Sequence, residues 1–335
     1  MKKPVILIPM GDPAGVGPEI IIKALADPGT ANSAVCVVIG DKGVLEGAMQ
    51  YPNMPKVPLH LIQDPNDASP EPGVLNLIDL HNIDPAWFRV GQVDGRCGKA
   101  AYAYIETAIR FANERHGDAV ATPPINKVAL SQGGVPFIGH TEIFGKLTGT
   151  PDPLTMFEVK GLRVFFLTRH VALRTACDQV TTDRIIDYGR RCSAALAQIG
   201  VTEGTMAVAG LNPHSGEHGL FGNEEDTQIV PAVEALKKEG YQIEGPISAD
   251  SVFHLALIGR YNSVLSLYHD QGHIATKTYD FERTISLTLG MPILRTSVDH
   301  GTAMDIAGTG TVSAISMIEA VRLAVKYAPY FTQSR

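Results

Sequence analysis

Short apolar runs of strand length alternate with stretches of helical period along almost the whole chain, and this alternation leaves few folds open. VILIP at 5–9 reads as a buried strand, and GPEIIIKALAD after it as a helix with Pro18 in its first turn. AVCVVIG at 34–40 is the next strand, and residues 98–115 carry apolar side chains at the spacing of a long helix. SVLSLYH and ISLTLG resume the strand pattern, and a helix from about Val312 to Lys326 closes the chain. The alternation predicts an α/β fold built on a largely parallel sheet.

The middle breaks the pattern. PLTMFEV and LRVFFLT flank Lys160-Gly161, a hairpin signal, and an antiparallel excursion there predicts a second domain inserted into the first. The plan is discontinuous: 1–135 and 285–335 form one domain from both chain ends, and 136–284 forms the other. A chain of 335 residues, 44% apolar and 19% charged, is long enough for two modest globular domains or one large α/β unit. The net charge of -7 argues against a broad grip on nucleic acid or acidic lipid, so an anionic substrate needs a local basic pocket. No stretch approaches a membrane span, the first residues lack a small-residue cleavage site, and Cys36, Cys97, Cys177 and Cys192 show no CxxC spacing. These features predict reduced thiols in a cytoplasmic protein without membrane or nucleic-acid partners.

Three apolar runs finish at or just before a histidine: VFFLT before His170, MAVAGLNP before His214 and VLSLY before His269. Ligands of α/β sheets bind outside the carboxyl ends of strands, so the three side chains can converge in one crevice. Three imidazoles with an open position suit a catalytic divalent metal: zinc, or a harder ion if Asp250 or Asp270 contributes. A lone histidine at a strand end is more often a hydrogen-bonded rim residue. Three on separate strands leave both readings open.

Two glycine-rich segments carry further chemistry. GDPAGVGPEI is neither a GxGxxG fingerprint nor a P-loop, whereas DHGTAMDIAGTG at 299–310 lets backbone approach a ligand closely and offers His300, Thr302 and Asp305 as polar contacts. Together they resemble the β-decarboxylating dehydrogenases of the isocitrate and isopropylmalate type, in which the second motif wraps the adenosine end of NAD or NADP. By that resemblance Gly301, Thr302, Ala303 and Asp305 are cofactor-binding candidates.

Read in order, GDPAGVGPEI, IGHTE, LNPHSGE, YHDQGH and LRTSVDHGTA resemble the 4-hydroxythreonine-4-phosphate dehydrogenase family over nearly the whole chain. The resemblance implies an isocitrate/isopropylmalate-dehydrogenase-like fold, two α/β domains with the active-site cleft between them. It also implies a homodimer with its active site at the interface. The terminal domain would carry the nucleotide motif, and the inserted one the metal, substrate and dimerisation surfaces. Family metal ligands fall on His170, His214 and His269, and substrate contacts on His140, Thr141, Lys277 and Arg295. Asp250 and Asp270 are the candidates for proton handling or for orienting a ligand imidazole. Ser286 stands where the family has asparagine, and DFER at 280–283 replaces a more glycine-rich stretch, which points to a branch acting on 4-phospho-threonate or 4-phospho-erythronate.

The implied reaction is NAD-dependent oxidation at C3, assisted by one divalent ion (Zn, or Mg, Co or Mn), followed by decarboxylation. With a C2 hydroxyl the product is dihydroxyacetone phosphate; with a C2 amine (4-hydroxy-L-threonine 4-phosphate) it is 3-amino-2-oxopropyl phosphate. Three rivals share parts of this pattern. A cis-dihydrodiol carboxylate dehydrogenase needs no phosphate grip. A phosphate acyltransferase has no use for three histidines, and a zinc hydrolase has none for the nucleotide motif.

Overall fold

The computed structural model describes residues 3–333. They form two compact units, one of 3–153 with 285–333 and one of 154–284.

The strands in chain order are β1 (Val5–Pro9), β2 (Val35–Gly40), β3 (Leu59–Leu61), β4 (Leu75–Asp79), β5 (Ala119–Thr122), β6 (Leu154–Val159), β7 (Leu162–Phe166), β8 (Met206–Ala209), β9 (Ile243–Ile247), β10 (Ser263–Ser266), β11 (Ile285–Leu289) and β12 (Arg295–Ser297). The terminal unit orders its strands β3-β4-β2-β1-β5-β12-β11, all neighbours parallel except β11 against β12. Its central strands are apolar on both faces, as a parallel sheet covered by helices requires: Ile6, Leu7 and Ile8 of β1 are wholly buried. Helix Gly95–Asn113 starts where Asp94 caps the Arg96 amide, and it turns Ala101, Tyr104, Ile105 and Ala108 inward at helical spacing.

The inserted unit orders β6-β7-β10-β8-β9. The Lys160-Gly161 turn joins β6 to β7 as the antiparallel hairpin expected, and β7, β10, β8 and β9 run parallel. Its core gathers Phe157, Val164, Phe166, Ala207 and Val264.

The division between units falls at Pro153/Leu154 and not at 135/136. The helix His140–Leu147 belongs to the terminal unit because it packs on helix Gly95–Asn113 and sets Phe144 beneath the Arg295 guanidinium, 5.0 Å from its ring centre. His140 and Thr141 therefore travel with Arg295.

Candidate active site

In the inserted unit, parallel strands β7, β10 and β8 deliver the three histidines from the same ends. His269 opens the helix His269–Tyr279, and its Nδ1 lies 2.7 Å from Asp270 Oδ1. A carboxylate only accepts, so Nδ1 carries the proton and the Nε2 lone pair is left to bind a metal. The His170 ring lies beside it, centroids 5.8 Å apart, and both line a cleft with Arg169, Tyr268 and Asp270.

His273, one turn along, stacks on His269 at 3.7 Å and 11°, donates from Nδ1 to the His269 carbonyl at 2.8 Å, and rests on Phe157 and Phe166. This close seating depends on Gly272, where a Cβ would stand 2.6 Å from the Phe166 ring. Lys277 follows at the same helical spacing, its ammonium 5.1 Å from the Phe281 ring centre. Asp250 is exposed in the turn after β9.

His214 stands on unusual backbone. Residues 214 to 219 all have positive φ, from 43° at Glu217 to 89° at Gly219. Four of the six are not glycine, and each such residue costs about 1 kcal/mol or more in that region. Glu225, 1% exposed, clamps the approach to this turn by accepting from the Leu211 and Asn212 amides at 2.7 Å each. Gln271 ties it to the His269 helix, donating to the Gly210 carbonyl and accepting from the Leu267 amide. The His214 ring faces Phe221 at 6.2 Å, and the ligating atoms of the three histidines do not all come within 4.8 Å of one another.

In the terminal unit Arg295 is a buried cation, 3% exposed, whose donors meet neutral oxygens: Thr122 Oγ1 at 3.2 and 2.9 Å and Thr288 Oγ1 at 2.7 Å. Burial pushes its pKa down to about 9, opposed by the charge of Asp299. Thr288 and Ser286 alternate onto one face of β11, opposite Arg295 and Ser297 of β12, so Ser286 and Arg295 share a face. Burial and the Arg295 charge hold His140 well below the usual imidazole range, and its Nε2 is sealed from solvent without a partner. Thr141 follows it in the first helical turn. A buried positive charge hydrogen-bonded to hydroxyls, beside a neutral imidazole, is suited to an anion.

The two glycine-rich segments meet in this unit. The Val16 amide donates to the Thr302 carbonyl at 3.0 Å, and a Cβ on Gly15 would come within 2.9 Å of Thr302. Glu19, 1% exposed, accepts from the Gly308 and Gly310 amides at 2.7 and 2.8 Å, and Lys23 donates to the Gly310 and Val312 carbonyls. Thr302 is buried in that contact, Ala303 holds φ 42°, and Gly301 and Asp305 face solvent.

Thr122, Thr288, Glu225, Gln271 and Glu19 escape a reading of the sequence. Their work is to hold another residue, and none stands where composition marks it. Gln271, inside YHDQGH, and Glu19, inside GDPAGVGPEI, had a signal only through those motifs.

Solved structures place the chain among α/β dehydrogenases. It is 39% identical to 4-hydroxythreonine-4-phosphate dehydrogenase from Klebsiella pneumoniae, with a TM-score of 0.91 over 97% of this chain and 98% of that one. A terephthalate 1,2-cis-dihydrodiol dehydrogenase from Burkholderia xenovorans LB400 is further off, at 28% identity and a TM-score of 0.66 over 97% and 98%. Residues 32–324 match the family model described as pyridoxal phosphate biosynthetic protein PdxA, and the chain belongs to that family. A Clostridium botulinum relative, carried under the provisional name D-threonate 4-phosphate dehydrogenase, is 60% identical over 330 residues, 98% of each chain. The chain is accordingly an oxidoreductase, a dehydrogenase of the PdxA family. Among the described residues no helix is long and apolar enough to cross a membrane.

Proposed function

We propose that this dehydrogenase oxidises 4-phospho-D-threonate, or its erythronate epimer, at C3 with NAD and a divalent cation, and that the resulting 3-oxo acid loses CO2 to give dihydroxyacetone phosphate. Hydride leaves C3 and the C3 hydroxyl proton is released; the C1–C2 bond then breaks and C2 takes up a proton. When bound, the cation supplies a Lewis acid for the C3 oxygen, and NAD supplies the hydride acceptor.

The observation that carries the metal-assisted reading is His269, oriented through Nδ1 by Asp270 and flanked by His170. His214 is the third ligand in this reading, and its clamped left-handed turn is backbone held for function rather than for stability. Asp270 is then a positioning residue, and Asp250 is the remaining carboxyl for moving a proton. Arg295, with Lys277, holds the 4-phosphate, and neutral His140 with Thr141 and Ser286 orients the carboxylate end. Gly301, Thr302, Ala303 and Asp305 form the adenosine loop. The enzyme works as a cytoplasmic homodimer.

Two features favour the hydroxy over the amino substrate: the name of the 60% identical relative and Ser286 in place of asparagine. The buried Arg295 argues against an unphosphorylated dihydrodiol. NADH formation with 4-phospho-D-threonate, 4-phospho-D-erythronate, 4-hydroxy-L-threonine 4-phosphate and a cis-dihydrodiol carboxylate tests the assignment. The highest kcat/KM is expected with one of the first two, and a preference for either of the others overturns it.

A further inference from the structure

A second group of metal-binding side chains stands in the terminal unit, apart from the three histidines. Strands β2 and β4 run parallel with Gly40 opposite Asp79, and each ends on an aspartate: Asp41 just after β2 and Asp79 as the last residue of β4. His81 follows two residues on, turned by a φ of 46°. One ligand atom from each of Asp41, Asp79 and His81 lies within 4.8 Å of the other two.

Backbone groups use only part of the carboxylates. Asp41 Oδ1 caps the helix Lys42–Ala48 through the Val44 amide at 3.2 Å, and Asp79 Oδ1 accepts from the Lys42 and His81 amides at 3.1 Å each. Asp41 is 2% exposed, and its Oδ2 is sealed from solvent with no partner. A second buried side chain in the same unit is also orphaned. Tyr104 is wholly buried with its hydroxyl unpartnered, and the charges of Asp41 and Asp79, after burial itself, resist its ionisation.

Among the described residues neither aspartate has a lysine or arginine within ion-pair distance. Two neighbouring carboxylates, one buried with an oxygen unmet, lack the positive charge that such a pair ordinarily has. The exposed His81 ring adds a nitrogen donor and leaves a way in from solvent. We infer that Asp41, Asp79 and His81 form a binding site for a divalent cation, joining the ends of β2 and β4. Two carboxylate oxygens and one imidazole suit a borderline ion of the Mn2+ type better than Ca2+ or a thiolate-seeking metal.

The test is a Mn2+ titration of the full chain after chelator treatment, read by electron paramagnetic resonance of free Mn2+ and by calorimetry. The background variant carries His170→Ala and His269→Ala, which removes the other candidate centre. One Mn2+ per chain should still bind, and adding His81→Ala or Asp79→Asn should weaken it by about tenfold or more. The His81 side chain is exposed, so its loss should leave the fold intact by circular dichroism even where an aspartate variant does not. Absence of Mn2+ binding in the background variant overturns the site. So does binding that His81→Ala leaves unchanged.

Discussion

Asp270 holds His269 by one hydrogen bond, Oδ1 to Nδ1 at 2.7 Å, and so decides which imidazole nitrogen is left to bind a metal. Removing such a partner of a ligand histidine weakens metal binding by about 10–100-fold. Asp270→Ala should therefore shift the divalent ion needed for half-maximal activity upward by that factor, with much of kcat recovered at saturating ion. Metal titration of the steady-state rate checks this. An unchanged requirement with a lowered kcat would instead make Asp270 a group that acts on the substrate.

Arg295 should discriminate by charge. It is buried among Thr122, Thr288 and Phe144, so Arg295→Ala removes a charge-assisted contact in a largely dry place. The loss corresponds to roughly 1.5–3 kcal/mol, or about 10–200-fold in kcat/KM on a phosphorylated substrate. An unphosphorylated analogue should lose much less. Ser286→Asn should cost less than the arginine change and move preference toward 4-hydroxy-L-threonine 4-phosphate. Equal losses on phosphorylated and unphosphorylated substrates would show that Arg295 does not read phosphate.

Glu19 ties the first helix to the late glycine-rich segment through two backbone amides, those of Gly308 and Gly310. Glu19→Ala leaves both donors unmet, for a loss on the order of 2–4 kcal/mol. Denaturant unfolding should show that loss, and the KM for NAD should rise more than kcat falls. A variant of full stability and unchanged KM would detach this contact from the cofactor loop.

The strand–helix alternation, the hairpin at Lys160-Gly161 and the histidines at strand ends were legible because each depends on local period or on a marked residue at a marked place. The boundary at 153/154 was not. It follows from Phe144 packing under Arg295, a contact between residues 151 positions apart. The same holds for Thr122, which sits on β5 beside β12 only once the sheet has formed. Likewise, nothing in LNPHSGE shows a run of left-handed residues, since only Gly216 among 214–218 advertises that conformation.

Asp12 gives a pH signature. Burial, opposed by the Ala14 amide and reinforced by Asp94, pushes it up to about 6. The folded protein then binds this proton more tightly than the unfolded chain, whose aspartates titrate near 4. Below that pH the group contributes nothing. As pH rises from about 4 through 6, stability is lost, in total on the order of 3 kcal/mol, and the loss is complete above 6. Asp12→Asn should thus gain Tm relative to the parent between pH 4 and 7. A Tm difference constant across that range would contradict it.

Metal-assisted oxidation at C3 should be coupled to cleavage of the C1–C2 bond. The most direct test of this coupling follows NADH absorbance and released CO2 together, with 4-phospho-D-threonate as substrate, before and after chelation and after adding back a divalent ion. One NADH and one CO2 should appear per substrate consumed, both abolished by chelator and both restored by the ion. NADH formed without CO2, or turnover undiminished in protein shown to be metal-free, would contradict it.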